Sequence, residues 1–160
     1  MTMSLMPYSL GLPVPSSRTK PVVMDIDSLL KDLSILVVEN DQDSAELFSF
    51  IFKIAEAQVL TVSSAAEGLL TLETYEPDIL VSNIVLPDID GYSLLDFFSA
   101  DEKVRIKEMI AVAVTPSVRE IDRAKAMSSG FHAHIPKPIE PVRLVVELAK
   151  LTGRITTPEV

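Results

Sequence analysis

DILVSNIVLPDIDGYSLL, residues 78–95, changes character twice. Ile79 to Val81 continue an apolar run of the kind found in strands buried on both faces of a parallel sheet. Pro87, Asp88, Asp90 and Gly91 then punctuate a polar loop. Leu94 and Leu95 open the next apolar-periodic segment, which reads as a helix. Strand, loop and helix in that order form half of a βαβ unit. A polar residue, Asn83, stands at the strand's carboxyl end, where ligands and chemistry collect in open α/β sheets.

Outward from this stretch the same alternation occurs five times. Strands are expected at 34–38 (SILVV), 58–62 (QVLTV), 78–82 (DILVS), 109–114 (MIAVAV) and 132–135 (HAHI), and helices at about 42–55, 64–74, 91–100, 117–129 and 140–151. Ser64 with Glu67 has the spacing of a capping box, and Pro141 suits a first helical turn, where no amide donor is needed. Regular strand–helix alternation with short loops predicts an α/β fold, a doubly wound parallel sheet covered on both faces.

Three segments are expected: a leader over 1–33, a globular domain over 34–151 and a short tail over 152–160, with no effector domain after Leu151. Residues 1–24 are rich in Ser, Pro and Thr without sustained periodicity. Ile26, Leu29, Leu30 and Leu33 have helical spacing, so a short amphipathic helix, N-capped by Asp25 or Asp27, is expected to dock on the domain. The first helix of the domain carries more apolar surface than one sheet requires: Leu47, Phe48, Phe50, Ile51, Phe52 and Ile54. The 25–33 helix or a second subunit, making a homodimer, is expected to cover the surplus.

Composition excludes several classes of function. No apolar run approaches the roughly 20 residues of a membrane span. With no cysteine there is no disulfide, zinc thiolate or thiol nucleophile, which agrees with a reducing cytoplasm. A net charge of −9 and no basic stripe argue against direct nucleic-acid binding. No glycine-rich phosphate loop follows the first strand, where the sequence is ENDQDSAE, so a small-ligand site has little support.

The strand ends place Glu39, Asn40, Asn83, Thr115 and Lys137 together at one crevice. The segments ILVVENDQDSAE, DILVSNIVLPDIDG, AVAVTP and HIPKPIEP resemble, in order and separation, the receiver domains of two-component response regulators (CheY-like) over about residues 34–151. The resemblance implies the flavodoxin-like receiver fold, a five-stranded parallel sheet in the order 2-1-3-4-5. It also implies a phosphoaccepting aspartate after the third strand, at Asn83 here. An acidic pair after the first strand (Glu39, Asn40) and a loop carbonyl (Val85) would hold Mg²⁺. Thr115 and Lys137 would take the phosphoryl oxygens, and a switch aromatic would stand at His134.

This chain departs from that pattern where the chemistry is most demanding. Asn83 replaces the nucleophilic carboxylate, and an amide oxygen is a far weaker nucleophile. Asn40 replaces one acid of the pair, leaving Glu39 against Lys137 and a pocket near zero charge. Mg²⁺ prefers carboxylate or phosphate oxygens, so neither metal nor cofactor is expected. Asp78 lies at the wrong end of the sheet, and Asp88 and Asp90 read as solvent-facing turn residues. Asp41 is the best spare carboxylate, though it is placed to cap the first helix. Lys137 is expected to pair with Glu39, Thr115 to end its strand, and His134 to be a polar residue on a terminal strand, with pH sensing the rarer role.

The expectation is a pseudo-receiver, not an enzyme. It would bind a protein partner, a histidine kinase or a downstream regulator, through its fourth helix, fifth strand and fifth helix. The alternative is a conventional Mg²⁺-dependent response regulator phosphorylated on an atypical residue.

Overall fold

The computed structural model describes residues 26–106 and 108–155. Its elements are β1 (Ser34–Val38), α1 (Gln42–Ile54), β2 (Gln58–Val62), α2 (Ala65–Leu72), β3 (Ile79–Asn83), a 3₁₀ turn (Gly91–Ser93) leading into α3 (Leu94–Ser99), β4 (Ile110–Thr115), α4 (Glu120–Ser128), β5 (Ala133–Pro136) and α5 (Pro141–Leu151). The strands form one parallel sheet in the order β2-β1-β3-β4-β5, the doubly wound arrangement the sequence predicts.

Because side chains alternate along a strand, the sheet divides the apolar residues between two cores. Ile35, Val37, Ile79, Val81, Val112 and Val114 face α1 and α5, against Phe48, Phe52, Leu144 and Leu148. Leu36, Val38, Leu80, Ala111 and Ala113 face α2, α3 and α4, against Leu72, Leu94, Phe98 and Ala126. Every residue of β3 is buried, and β2 at the sheet edge is half open, as the difference between ILVSN and QVLTV suggests. Among the described residues no helix is long and apolar enough to cross a membrane.

Three expectations are corrected. The last three strands each lie one residue later than expected, because Asn83 and Thr115 remain in the ladder opposite Val114 and Pro136. The fourth helix begins at Glu120, not at 117. There the Ser117 hydroxyl donates to Asp122 and accepts from the Arg119 N–H, which holds 117–119 as a loop. Residues 27–32 form successive turns instead of a helix. Ser28 and Asp32 have φ of 69° and 66°, a left-handed conformation that no right-handed helix contains.

The 26–33 segment nevertheless packs against the domain. Leu30 is fully buried in the α1–α5 core, its N–H bonds the Ala55 carbonyl, and the Asp32 N–H bonds the Glu56 carbonyl. It therefore covers the C-terminal end of α1 only. Leu47, Phe50 and Ile54 keep 40%, 64% and 38% of their surface exposed. Asp25 lies outside the described residues.

Candidate functional site

The pocket is built by the carboxyl ends of β1, β3, β4 and β5. Glu39 follows β1, and its N–H bonds the Val62 carbonyl, so its backbone extends the ladder. Asn83 ends β3, Thr115 ends β4, and the Lys137 N–H bonds the Thr115 carbonyl at 2.7 Å, which sets Lys137 at the same level.

Glu39 is the centre of the site. Its side chain is completely buried, and a buried carboxylate is tolerable only when both oxygens have partners. Oε1 accepts from Lys137 Nζ at 3.0 Å, and Oε2 accepts from Asn83 Nδ2 at 2.8 Å and the Asp41 N–H at 3.0 Å. The Asn83 amide donates a second bond to Asn40 Oδ1 at 3.2 Å, and its Oδ1 accepts the Val85 N–H at 3.0 Å. These partners allow one orientation of the amide, since the flipped group would set its oxygen against the Glu39 carboxylate. Lys137 and Glu39 thus pair as expected, but in a largely desolvated setting, with Lys137 23% exposed.

The other expected site residues divide. Asn40 is solvent-exposed, but its amide oxygen joins the network. Thr115 is buried, and its hydroxyl accepts from the Ser117 N–H at 3.2 Å, outside the Glu39–Asn83–Lys137 trio. Val85 is exposed and bridges to Asp90 across the β3–α3 loop. Asp41 caps α1, accepting the Ser44 N–H at 2.9 Å and its hydroxyl at 2.7 Å; these bonds hold its carboxyl below the ordinary range. Asp78 clamps the opposite end of the sheet to Ser34.

Gly91 is dictated by this loop. Its N–H bonds the Ile84 carbonyl, and a Cβ would lie 2.2 Å from that same backbone oxygen. Any side chain would force the loop away from β3.

Asp88 corrects the sequence reading: it is not simply a turn former. Its two carboxylate oxygens accept the Ala65 and Ala66 N–H groups at 3.0 and 2.9 Å, tying the loop to the N-terminus of α2. Burial alone would raise its carboxyl, but N–H donors from Ala66, Ala65, Asp88 and Ile89 outweigh that and hold it low. The Ser64–Glu67 box is modified to match: Ser64 bonds the Glu67 N–H, while Glu67 reaches back to Ser63. The sequence signal for this was weak, since an acid 23 residues beyond a helix start has no local pattern. Replacing Asp88 with alanine frees two helix N-terminal donors and is expected to cost about 1 kcal/mol in urea unfolding.

His134 packs against α4. Its Nε2 is buried without a hydrogen-bond partner. Burial lowers its pKa from the ordinary 6.5, Arg123 adds to this, and Asp122 and Glu120 oppose it. Between the folded-state value and about 6.5 the unfolded chain therefore binds a proton that the folded chain refuses. The sign follows: this contribution to stability is full above about 6.5 and is lost as pH falls toward the folded-state value. Unfolding of wild type and His134→Phe compared between mildly acidic and neutral pH should show a steeper loss in wild type.

Magnesium is the cation the fold class implies. It demands octahedral oxygen ligands and dehydrates reluctantly. The pocket offers one carboxylate, with both oxygens already accepting, and an amide that presents its NH₂ group inward. Among the described residues no group of three or more acidic, His or Cys side chains could hold a metal. This donor set does not fit Mg²⁺.

Sheet order and converging strand ends define a doubly wound receiver-type α/β protein. Comparisons with known proteins agree. The family described as response regulator receiver domain matches residues 35–149. An uncharacterized 14.6 kDa protein of the sodA1 3′ region in Leptolyngbya boryana is 34% identical over 116 residues, covering 72% of this chain and 87% of that protein. The polar-differentiation response regulator DivK of Brucella ovis is 24% identical over 120 residues, covering 75% and 96%. Among solved structures, a CheY-like receiver domain protein from Methanospirillum hungatei superposes with a TM-score of 0.67 at 24% identity, over 78% of this chain and 97% of that one. The receiver domain of the sensor kinase PA1611 from Pseudomonas aeruginosa, solved with magnesium in its active-site cleft, superposes at 0.65 with 20% identity, over 75% and 96%. The chain belongs to the response regulator receiver domain family.

Proposed function

We propose that this receiver domain works as a pseudo-receiver: it binds protein partners in two-component signalling and is not phosphorylated. One observation carries the reading. The group at the phosphoacceptor position is an amide whose NH₂ donates to Glu39, while Lys137 occupies the other Glu39 oxygen. The pocket is closed by its own hydrogen bonds, with neither a free carboxylate nor an unpaired cation to receive a phosphoryl group. The alternative, phosphorylation at an atypical acid, has Asp41 as its best candidate, and that carboxylate is engaged in capping α1.

A neutral, internally paired pocket favours one conformation, so output depends on abundance and partner binding. The partner surface we assign is α4, β5 and α5. On α4 and the loop that leads into it, Val118 and Ile121 are 78% and 70% exposed beside Arg119, Glu120 and Arg123. Apolar anchors ringed by mixed charge suit a specific protein contact, with a histidine kinase or a downstream regulator.

The test is an amide NMR spectrum with and without Mg²⁺ and beryllofluoride, a mimic of the phosphoryl group. The amides of Asn83, Thr115, His134 and Lys137 should be unmoved. A saturable shift at these positions would defeat the proposal.

A further inference from the structure

Along α1 runs an apolar stripe that the described part of the domain leaves open. Leu47, Phe50 and Ile54 follow one another at intervals of three and four residues, so they lie on one line of the helix. Each is more than a third exposed. The 26–33 segment, anchored through the Leu30 N–H at the Ala55 carbonyl, reaches only the end of this line. Charge along the helix is also ordered. Asp43 and Glu46 are acidic near its start, and Lys53 is basic in its last turn. Glu46 and Lys53 are both exposed, and among the described residues neither has an ion-pair partner. Lys53 follows Glu46 by seven residues, close to two turns of ~3.6 residues, so both stand on one flank of the stripe beside Phe50.

We propose that a second copy of this chain occupies the stripe, with α1 packed antiparallel on the partner's α1 about a two-fold axis beside Phe50. Such an interface uses the same patch on both subunits, so the patch must complement itself when reversed. This patch does. A two-fold axis midway between Glu46 and Lys53 sets Glu46 opposite the partner's Lys53, and symmetry forms that pair twice. Phe50 then meets the partner's Phe50 near the axis, and Leu47 enters between the partner's Phe50 and the partner's Ile54. A parallel arrangement would instead set Glu46 against the partner's Glu46. Antiparallel packing also brings the positive N-terminal end of each helix dipole to the negative C-terminal end of the other.

The neighbouring surface suits this register. Ser44, Leu47, Lys137, Pro138 and Ile139 line a shallow depression between α1 and the β5–α5 loop. The partner's Ile54 comes level with Ser44 and Leu47, at the mouth of that depression. A net charge of −9 on each chain opposes association, but physiological salt screens exposed charges beyond about 8 Å. Local contacts therefore decide the orientation, and the dimer is weak and concentration-dependent. This interface is separate from the α4–β5–α5 surface and does not rest on whether the pocket accepts a phosphoryl group.

Sedimentation velocity of the full-length chain at physiological salt, from micromolar to near-millimolar concentration, provides the test. Wild type is expected to shift toward dimer as concentration rises. Phe50→Glu, a change at an exposed position, should stay monomeric throughout while its circular dichroism matches wild type. Glu46→Lys and Lys53→Glu should each weaken the dimer about tenfold, since each turns two attractions into two repulsions. The double variant Glu46→Lys/Lys53→Glu keeps the net charge of −9 and re-forms both pairs in reverse. Its affinity should return to within about threefold of wild type. A wild type that stays monomeric would overturn the proposal, whether another part of the chain or a different protein covers the stripe. So would a Phe50→Glu dimer as tight as wild type, or a double variant no tighter than the single ones.

Discussion

Lys137→Met is expected to lower the free energy of unfolding by about 3 kcal/mol, the typical cost of stranding a buried charge without its partner. Glu39 is fully buried and, among the described residues, Lys137 is its only cationic hydrogen-bond partner, so methionine leaves the carboxylate with Asn83 and one backbone N–H. The double variant Glu39→Gln/Lys137→Met removes both charges and should recover most of that loss. Urea unfolding of the four members of this cycle measures it. A single variant within about 0.5 kcal/mol of wild type would mean the pair behaves as a surface salt bridge and does not organise the pocket.

Asn83→Asp is the second large effect, and it acts through the same carboxylate. The change removes the 2.8 Å donor to Glu39 and sets a second carboxylate oxygen in its place. In the absence of divalent cations the variant should lose about 3 kcal/mol of stability, combining a lost charged hydrogen bond with like-charge repulsion. Two facing carboxylates are also what Mg²⁺ seeks, so millimolar Mg²⁺ should restore much of the loss to the variant and leave wild type unchanged. Thermal unfolding with and without Mg²⁺ distinguishes the two proteins. Equal Mg²⁺ responses would show that position 83 does not govern cation binding.

Much of this arrangement was legible in the sequence because it depends on local pattern. The unbroken apolar runs of β1, β3 and β4 identified strands buried on both faces, and the polar residues at their ends identified the crevice. Pro141 and Asp41 were read correctly because caps and first turns are governed by neighbours only a few residues away. The asparagines at 40 and 83 were visible as letters.

What escaped the reading depends on contacts between distant residues or on backbone dihedrals. Ile26, Leu29, Leu30 and Leu33 fit a helix and fit a series of turns equally well; only the left-handed Ser28 and Asp32 separate the two. Asp88 caps a helix that starts far earlier in the chain. The orientation of the Asn83 amide cannot be read from a letter, because Glu39, Asn40 and Val85 fix it together. The same limit applies to the depth of the Glu39–Lys137 pair, two residues that the folded sheet alone brings together.

The most direct test of the central claim is the intact mass of wild-type protein after incubation with Mg²⁺ and a small-molecule phosphodonor, with Asn83→Asp treated identically. Wild type should keep its mass, and the variant, its carboxylate restored on a sound scaffold, should gain one phosphoryl group. A phosphoryl adduct on wild type would contradict the account, and mapping it, with Asp41 the first position to inspect, would make this chain a phosphorylated switch.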